Sequence, residues 1–99
     1  MRVELFYFDG CPSWTVAEER LTEALRTLGR DDVTVERWLV ETAEQAEQVG
    51  FTGSPTIRID GTDPFAIGTE HVGLACRVYP TPDGLAGSPT TAQMFEVLG

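Results

Sequence analysis

The stretch Arg2-Val3-Glu4-Leu5-Phe6-Tyr7-Phe8-Asp9-Gly10-Cys11-Pro12-Ser13-Trp14 decides how the rest of the chain is read. From Val3 to Phe8 only Glu4 interrupts the apolar side chains. Residues 2–8 therefore predict a strand buried on both faces. Asp9-Gly10-Cys11-Pro12 predicts a turn into a helix, with Pro12 at the first helical position, where a missing N–H costs nothing. The helix is expected from Pro12 to Leu28. Trp14, Ala17, Leu21, Ala24, Leu25 and Leu28 fall on one stripe with a period of about 3.6 residues. Glu18, Glu19, Glu23 and Arg26 lie off that stripe, and Gly29 is a good stop.

Outward from this unit, Val33 to Val40 predicts a second strand, which Glu36 and Arg37 assign to a sheet edge. Thr42-Ala43-Glu44-Gln45 has the form of a capping box for a short helix ending at Gly50. Thr56 to Asp60 predicts a third strand, followed by an Asp60-Gly61 turn and a patternless loop over 62–72. Leu74 to Tyr79 predicts a fourth strand paired with the third, and Pro80, Pro82 and Asp83-Gly84 another loop. Ser88-Pro89 is expected to cap a last helix through Leu98, with Ala92, Phe95 and Leu98 on its apolar face. The order is βαβαββα. A right-handed crossover makes the opening strands parallel, and the first and third strands are expected to be parallel as well. The fold class is α/β, one domain over residues 1–99, with a four-stranded mixed sheet flanked by helices.

The chain has 99 residues, 10.9 kDa and a 41% hydrophobic fraction, enough for one modest core. Seven basic residues against sixteen acidic ones give a net charge of −9 and a pI near 4.3. That charge argues against nucleic acid or an anionic membrane as partner, because both would repel the chain. Every basic residue is Arg, which excludes Schiff-base and P-loop lysine chemistry. No apolar run approaches the roughly 20 residues needed to span a bilayer. The start is strand-like and acidic by Glu4, so no signal peptide is expected and the default location is cytoplasmic. Cys11 and Cys76 cannot build a disulfide-rich scaffold or a four-ligand zinc site, and His71 adds no short-range ligand spacing, so no metal site is expected. In a reducing compartment the two thiols are either buried packing residues or reactive groups.

Two loops carry the chemistry. A thiol at Cys11, at the start of a helix, faces unpaired backbone N–H groups and the positive end of the helix dipole. Both favour the thiolate and lower its pKa. In Gly53-Ser54-Pro55-Thr56, a proline entering a strand is able to take the cis form and leave neighbouring backbone groups free to pair with a bound chain. Cys11-Pro12-Ser13-Trp14 after an apolar first strand, with Ser54-Pro55-Thr56 before the third, resembles the thioredoxin superfamily. The Gly10-Cys11-Pro12 turn, the Gly53–Thr56 segment and the late Cys76-Arg77-Val78-Tyr79 run are similar to small bacterial thioredoxin-like proteins. The resemblance implies a thioredoxin-like fold in which Cys11 is the nucleophile and Pro55 is cis and packs against it. Pro12, Trp14, Ser54, Pro55 and Thr56 would then contact substrate. The usual second cysteine of the Cys-x-x-Cys motif is replaced by Trp14. Cys11 therefore acts alone through mixed disulfides, or is resolved by Cys76, or the site has lost redox function.

Three functions follow. The first is thiol–disulfide exchange, with a disulfide-containing protein or a low-molecular-weight thiol as partner and no cofactor beyond such a thiol. Cys11→Ser is then expected to abolish exchange and leave the fold nearly intact. The second is soft-metal or organomercurial handling by Cys11 and Cys76 with Asp9, a toolkit similar to that of alkylmercury lyase, which requires the two sulfurs to meet. The third is a non-catalytic interaction domain using Trp14, Trp38 or Phe65. An iron–sulfur role fits poorly, because the motif is Cys-Pro-Ser-Trp rather than the Cys-Gly-Phe-Ser of single-thiol glutaredoxins. Arg58 and Arg77 are candidates to hold an anionic thiol cofactor, but nothing in the sequence selects them.

Overall fold

A computed structural model describes residues 1–99. Strand β1 (Val3–Tyr7) is central in a three-stranded sheet of order β2-β1-β3, with β2 at Val35–Leu39 and β3 at Thr56–Ile59. Helix α1 (Ser13–Thr27) crosses between β1 and β2, which are parallel, with Val3 opposite Val35 and Tyr7 opposite Leu39. Helix α2 (Ala43–Val49) leads to β3, a separate hairpin pairs β4 (Tyr79–Thr81) with β5 (Gly84–Ala86), and helix α3 (Thr91–Leu98) closes the chain.

The sheet is covered on both faces, as the apolar run of β1 requires. Val3, Leu5 and Ile57 pack with Ala17, Leu21, Ala24 and Leu25 of α1 and with Met94 and Leu98 of α3. Phe6, on the opposite face, packs with Val40, Ala46 and Phe51. Full burial of a side chain such as Leu21 contributes about 1.5–3 kcal/mol. Glu4, the one interruption, is buried and pairs with Arg2 at 3.4 Å. The stripe read from α1 is the one buried, and β2 is an edge strand.

The expected four-stranded sheet is not formed. Leu74 to Tyr79 does not run alongside β3; it touches the β3 entry through one bridge, Ser54 to Cys76. Strand pairing begins only at Tyr79, because Asp83-Gly84 folds the chain into its own tight hairpin, with Thr81 opposite Gly84 (φ +107°). Pro80 and Pro82, which lack a donor, are tolerated in such a two-stranded ribbon.

The direction of β3 also differs from expectation. It runs antiparallel to β1, with Phe6 opposite Thr56 and Val3 opposite Ile59. Thr56 lies opposite Phe6 and Leu39 opposite Tyr7, so the connection through α2 returns the chain to the end of the sheet where β1 and β2 finish, and β3 starts there. The Asp60-Gly61 turn forms as expected, with φ of 52° and 85°, both in the left-handed region.

Helix ends follow their caps. Gln45 N–H donates to Thr42 Oγ1 at 3.1 Å, but the Gln45 side chain accepts from Glu41 N–H, one residue before the position a full box uses. Gly50 (φ +67°) ends α2. The cap of α3 is Thr90 rather than Ser88-Pro89. Thr90 Oγ1 accepts from Gln93 N–H at 3.1 Å, and Gln93 Oε1 accepts from Thr90 N–H at 2.8 Å. The inner face of α3 is Met94, Val97 and Leu98, while Ala92 and Phe95 face outward. That is the stripe presented to α1. Replacing Thr90 with Ala is expected to cost about 1 kcal/mol. It should appear in urea titration as a lower midpoint with an unchanged slope.

Candidate functional site

The site forms where the end of β1, the start of β3 and the 73–78 segment meet. After Tyr7 the chain turns tightly, with Cys11 N–H donating to Phe8 O at 3.1 Å. Pro12 (φ −69°) is the last residue before α1 and has no side-chain cap to offer. The N–H groups of Ser13 and Trp14, in the first turn, are left without an acceptor in the chain. The antiparallel course of β3 brings the Ser54-Pro55 loop to this turn. Phe8 N–H donates to Ser54 Oγ at 2.9 Å.

Cys11 and Cys76 form a disulfide across a sequence separation of 65, with Cα atoms 5.6 Å apart. Cys11 is 2% exposed, whereas Cys76 is an exposed residue. Ser54 holds the Cys76 segment with both of its backbone groups: its N–H donates to Ala75 O at 2.8 Å, and its C=O accepts from Arg77 N–H at 3.0 Å. The backbone beside Pro55, expected to be free for a bound extended chain, is thus already paired with this chain's own residues. The Ser54–Pro55 bond is cis, as anticipated.

Arg77 anchors the segment from below. Its side chain is 6% exposed and its guanidinium pairs with Asp63 at 2.5 Å. It also reaches Thr52 Oγ1 at 3.3 Å and lies 4.7 Å from the Tyr79 ring centre. Tyr79 is buried and donates to Pro55 O. Burial pushes its phenol pKa upward, the neighbouring Arg77 only partly offsetting this, so it remains a donor. Gly53 (φ +114°) permits this close approach. A Cβ there would meet Arg77 Cβ at 2.9 Å. Thr56 is buried, its hydroxyl donating to Gly53 O at 2.5 Å.

Cys11, Cys76, Ser54, Pro55 and Thr56 are therefore brought together, with Pro12 exposed at their edge. Trp14 is half-buried and directed elsewhere. Its ring stacks on Tyr7 with centres 4.2 Å apart, beneath the Arg37 guanidinium at 5.3 Å. Glu18 holds that guanidinium and raises the Arg37 pKa through hydrogen bonding and charge. Phe65 packs edge-on against Tyr79, so of the three aromatic residues suited to a docking face only Trp38 is largely open, at 43%. Of the candidate arginines, Arg77 is held by Asp63, whereas Arg58 donates to Val49 O and Gly50 O at the end of α2 and has no acidic partner.

The two sulfurs meet, as organomercurial handling requires. With both sulfurs in the disulfide, no group of three or more His, Cys, Asp or Glu side chains is arranged to hold a metal ion. None of the three surface cavities is lined by Cys11, Cys76 or Ser54. Of the two cysteines, only Cys76 is exposed. Asp63 escaped sequence reasoning because it lies in a loop without periodicity; the only signal was an arginine next to a cysteine in an apolar run. No helix is long and apolar enough to cross a membrane. Neither a scan of protein-family models nor searches of curated proteins and solved structures found a match to this chain.

Proposed function

We propose that this chain is a thioredoxin-like thiol–disulfide exchange protein whose redox couple is Cys11 and Cys76, working on a low-molecular-weight thiol. The observation that carries this is the disulfide itself, which joins a buried cysteine at the start of α1 to an exposed one beside Ser54-Pro55. A cysteine just ahead of a helix with uncommitted first-turn amides is a good thiolate and a good leaving group. The second thiol that the Cys-Pro-Ser-Trp motif lacks is supplied by a distant segment. The choice of a small thiol over an extended polypeptide is supported at Ser54. Both of its backbone groups are engaged by Ala75 and Arg77, so a client strand has nothing to pair with there. The cytoplasm, rich in small thiols, is the compartment this activity suits.

The test is catalysis of exchange between glutathione and a small aromatic disulfide. Wild-type protein is expected to accelerate it, and Cys11→Ser and Cys76→Ser each to be slower, the more impaired of the two by on the order of 100-fold or more. The variants are compared where circular dichroism shows them folded. Equal rates for wild type and both variants would refute the assignment and leave the disulfide a structural cross-link.

A further inference from the structure

We infer that Cys76, not Cys11, is the sulfur that exchanges with the external thiol, and that Cys11 is the internal leaving group and resolving thiol. This rests on the exchange function proposed above and fixes its polarity. The rate of attack on a disulfide depends on which sulfur an incoming thiolate reaches and on how well the other leaves. Here access selects the direction. Cys11 is 2% exposed and Cys76 is exposed, so the S–S bond runs outward and an in-line approach to Cys76 comes from outside the fold. An in-line approach to Cys11 would have to come through the interior.

The thiolate of a small thiol attacks Cys76 Sγ, forming a new S–S bond. The Cys76–Cys11 bond breaks, and its electron pair leaves on Cys11 Sγ, which stays a thiolate or takes a proton from water. A second thiolate then attacks the small thiol's own sulfur in the mixed disulfide, releasing a small disulfide and the Cys76 thiolate. Two small thiols are oxidised and the protein pair is reduced by two electrons. In reverse, Cys76 attacks a small disulfide and Cys11 closes on Cys76. Ser54 and the Arg77–Asp63 pair hold the segment on both sides of Cys76 throughout.

Wild-type oxidised protein treated with limiting glutathione and quenched in acid at early times tests this, with the adduct located by peptide mass spectrometry. The adduct is expected on Cys76 at least about tenfold more often than on Cys11. As a check independent of trapping, reduced Cys11→Ser should react with oxidised glutathione at least about tenfold faster than reduced Cys76→Ser. An adduct mainly on Cys11, or a faster Cys76→Ser, overturns the inference while exchange itself stands. A disulfide that glutathione neither modifies nor reduces overturns the exchange function and this inference together.

Discussion

Reduction of the Cys11–Cys76 disulfide is expected to destabilise the fold by roughly 4 kcal/mol. The bond closes a loop across a sequence separation of 65, and freeing that loop restores conformational entropy to the unfolded chain. In a domain of this size 1 kcal/mol corresponds to about 4–8 °C, so the melting temperature should fall by roughly 15–30 °C. Matched thermal scans with and without a strong reductant measure it directly. A fall of only a few degrees would mean that the 73–78 segment is held by its non-covalent contacts alone, or that the unfolded chain is compact without the bond. The same number revises an expectation drawn from the sequence. Cys11→Ser, expected from the sequence to leave the fold nearly intact, is now expected to lower its stability, because it removes this cross-link as well as the thiol. Variants that lose either cysteine should melt together with the reduced wild type.

Asp63→Ala is expected to cost roughly 3–5 kcal/mol, the usual penalty for leaving a buried charge without its partner. The Arg77 side chain is 6% exposed and that of Asp63 is 14% exposed, so water cannot replace the carboxylate where it is lost. Asp63 also accepts from Phe65 N–H at 2.9 Å, which ties the 62–72 loop to the same pair. Removing both charges is a different matter. Asp63→Leu combined with Arg77→Met should recover most of the loss, since a buried pair exchanged for apolar groups of similar volume is often neutral or better. Denaturant titration of the single and double variants decides it. A single variant within about 1 kcal/mol of wild type would show that solvent enters and screens Arg77.

What could be read from the sequence was what depends on near neighbours in the chain. The apolar run of β1, the period of α1 from Ala17 to Leu25 and the charged edge of β2 each express a local pattern, and each was found. The Cys11 turn and the Ser54-Pro55 loop were singled out because helix starts and strand-entry prolines have chemistry of their own. The direction of β3 was not legible, since it follows from the course of the whole 40–55 connection and not from any residue within β3. Nor was the pairing of Cys76, whose run from Leu74 to Tyr79 looks like a strand. Its backbone is taken by Ser54 at one point, and Arg77 turns inward to Asp63. Sequence pattern does not encode such contacts between distant loops.

The grip of Ser54 on Ala75 and Arg77 has one more consequence. If the proposed exchange holds, it would keep the Cys76 sulfur beside the Cys11 thiol at an effective concentration that can reach the millimolar range or above. Reclosure of the protein disulfide would then compete with every second small thiol that arrives. The mixed disulfide would stay scarce, with two thiols consumed for each pair opened. At equilibrium the ratio of open to closed protein follows the square of the thiol concentration divided by that of its disulfide. A domain so arranged would change state over a narrow range of thiol concentration.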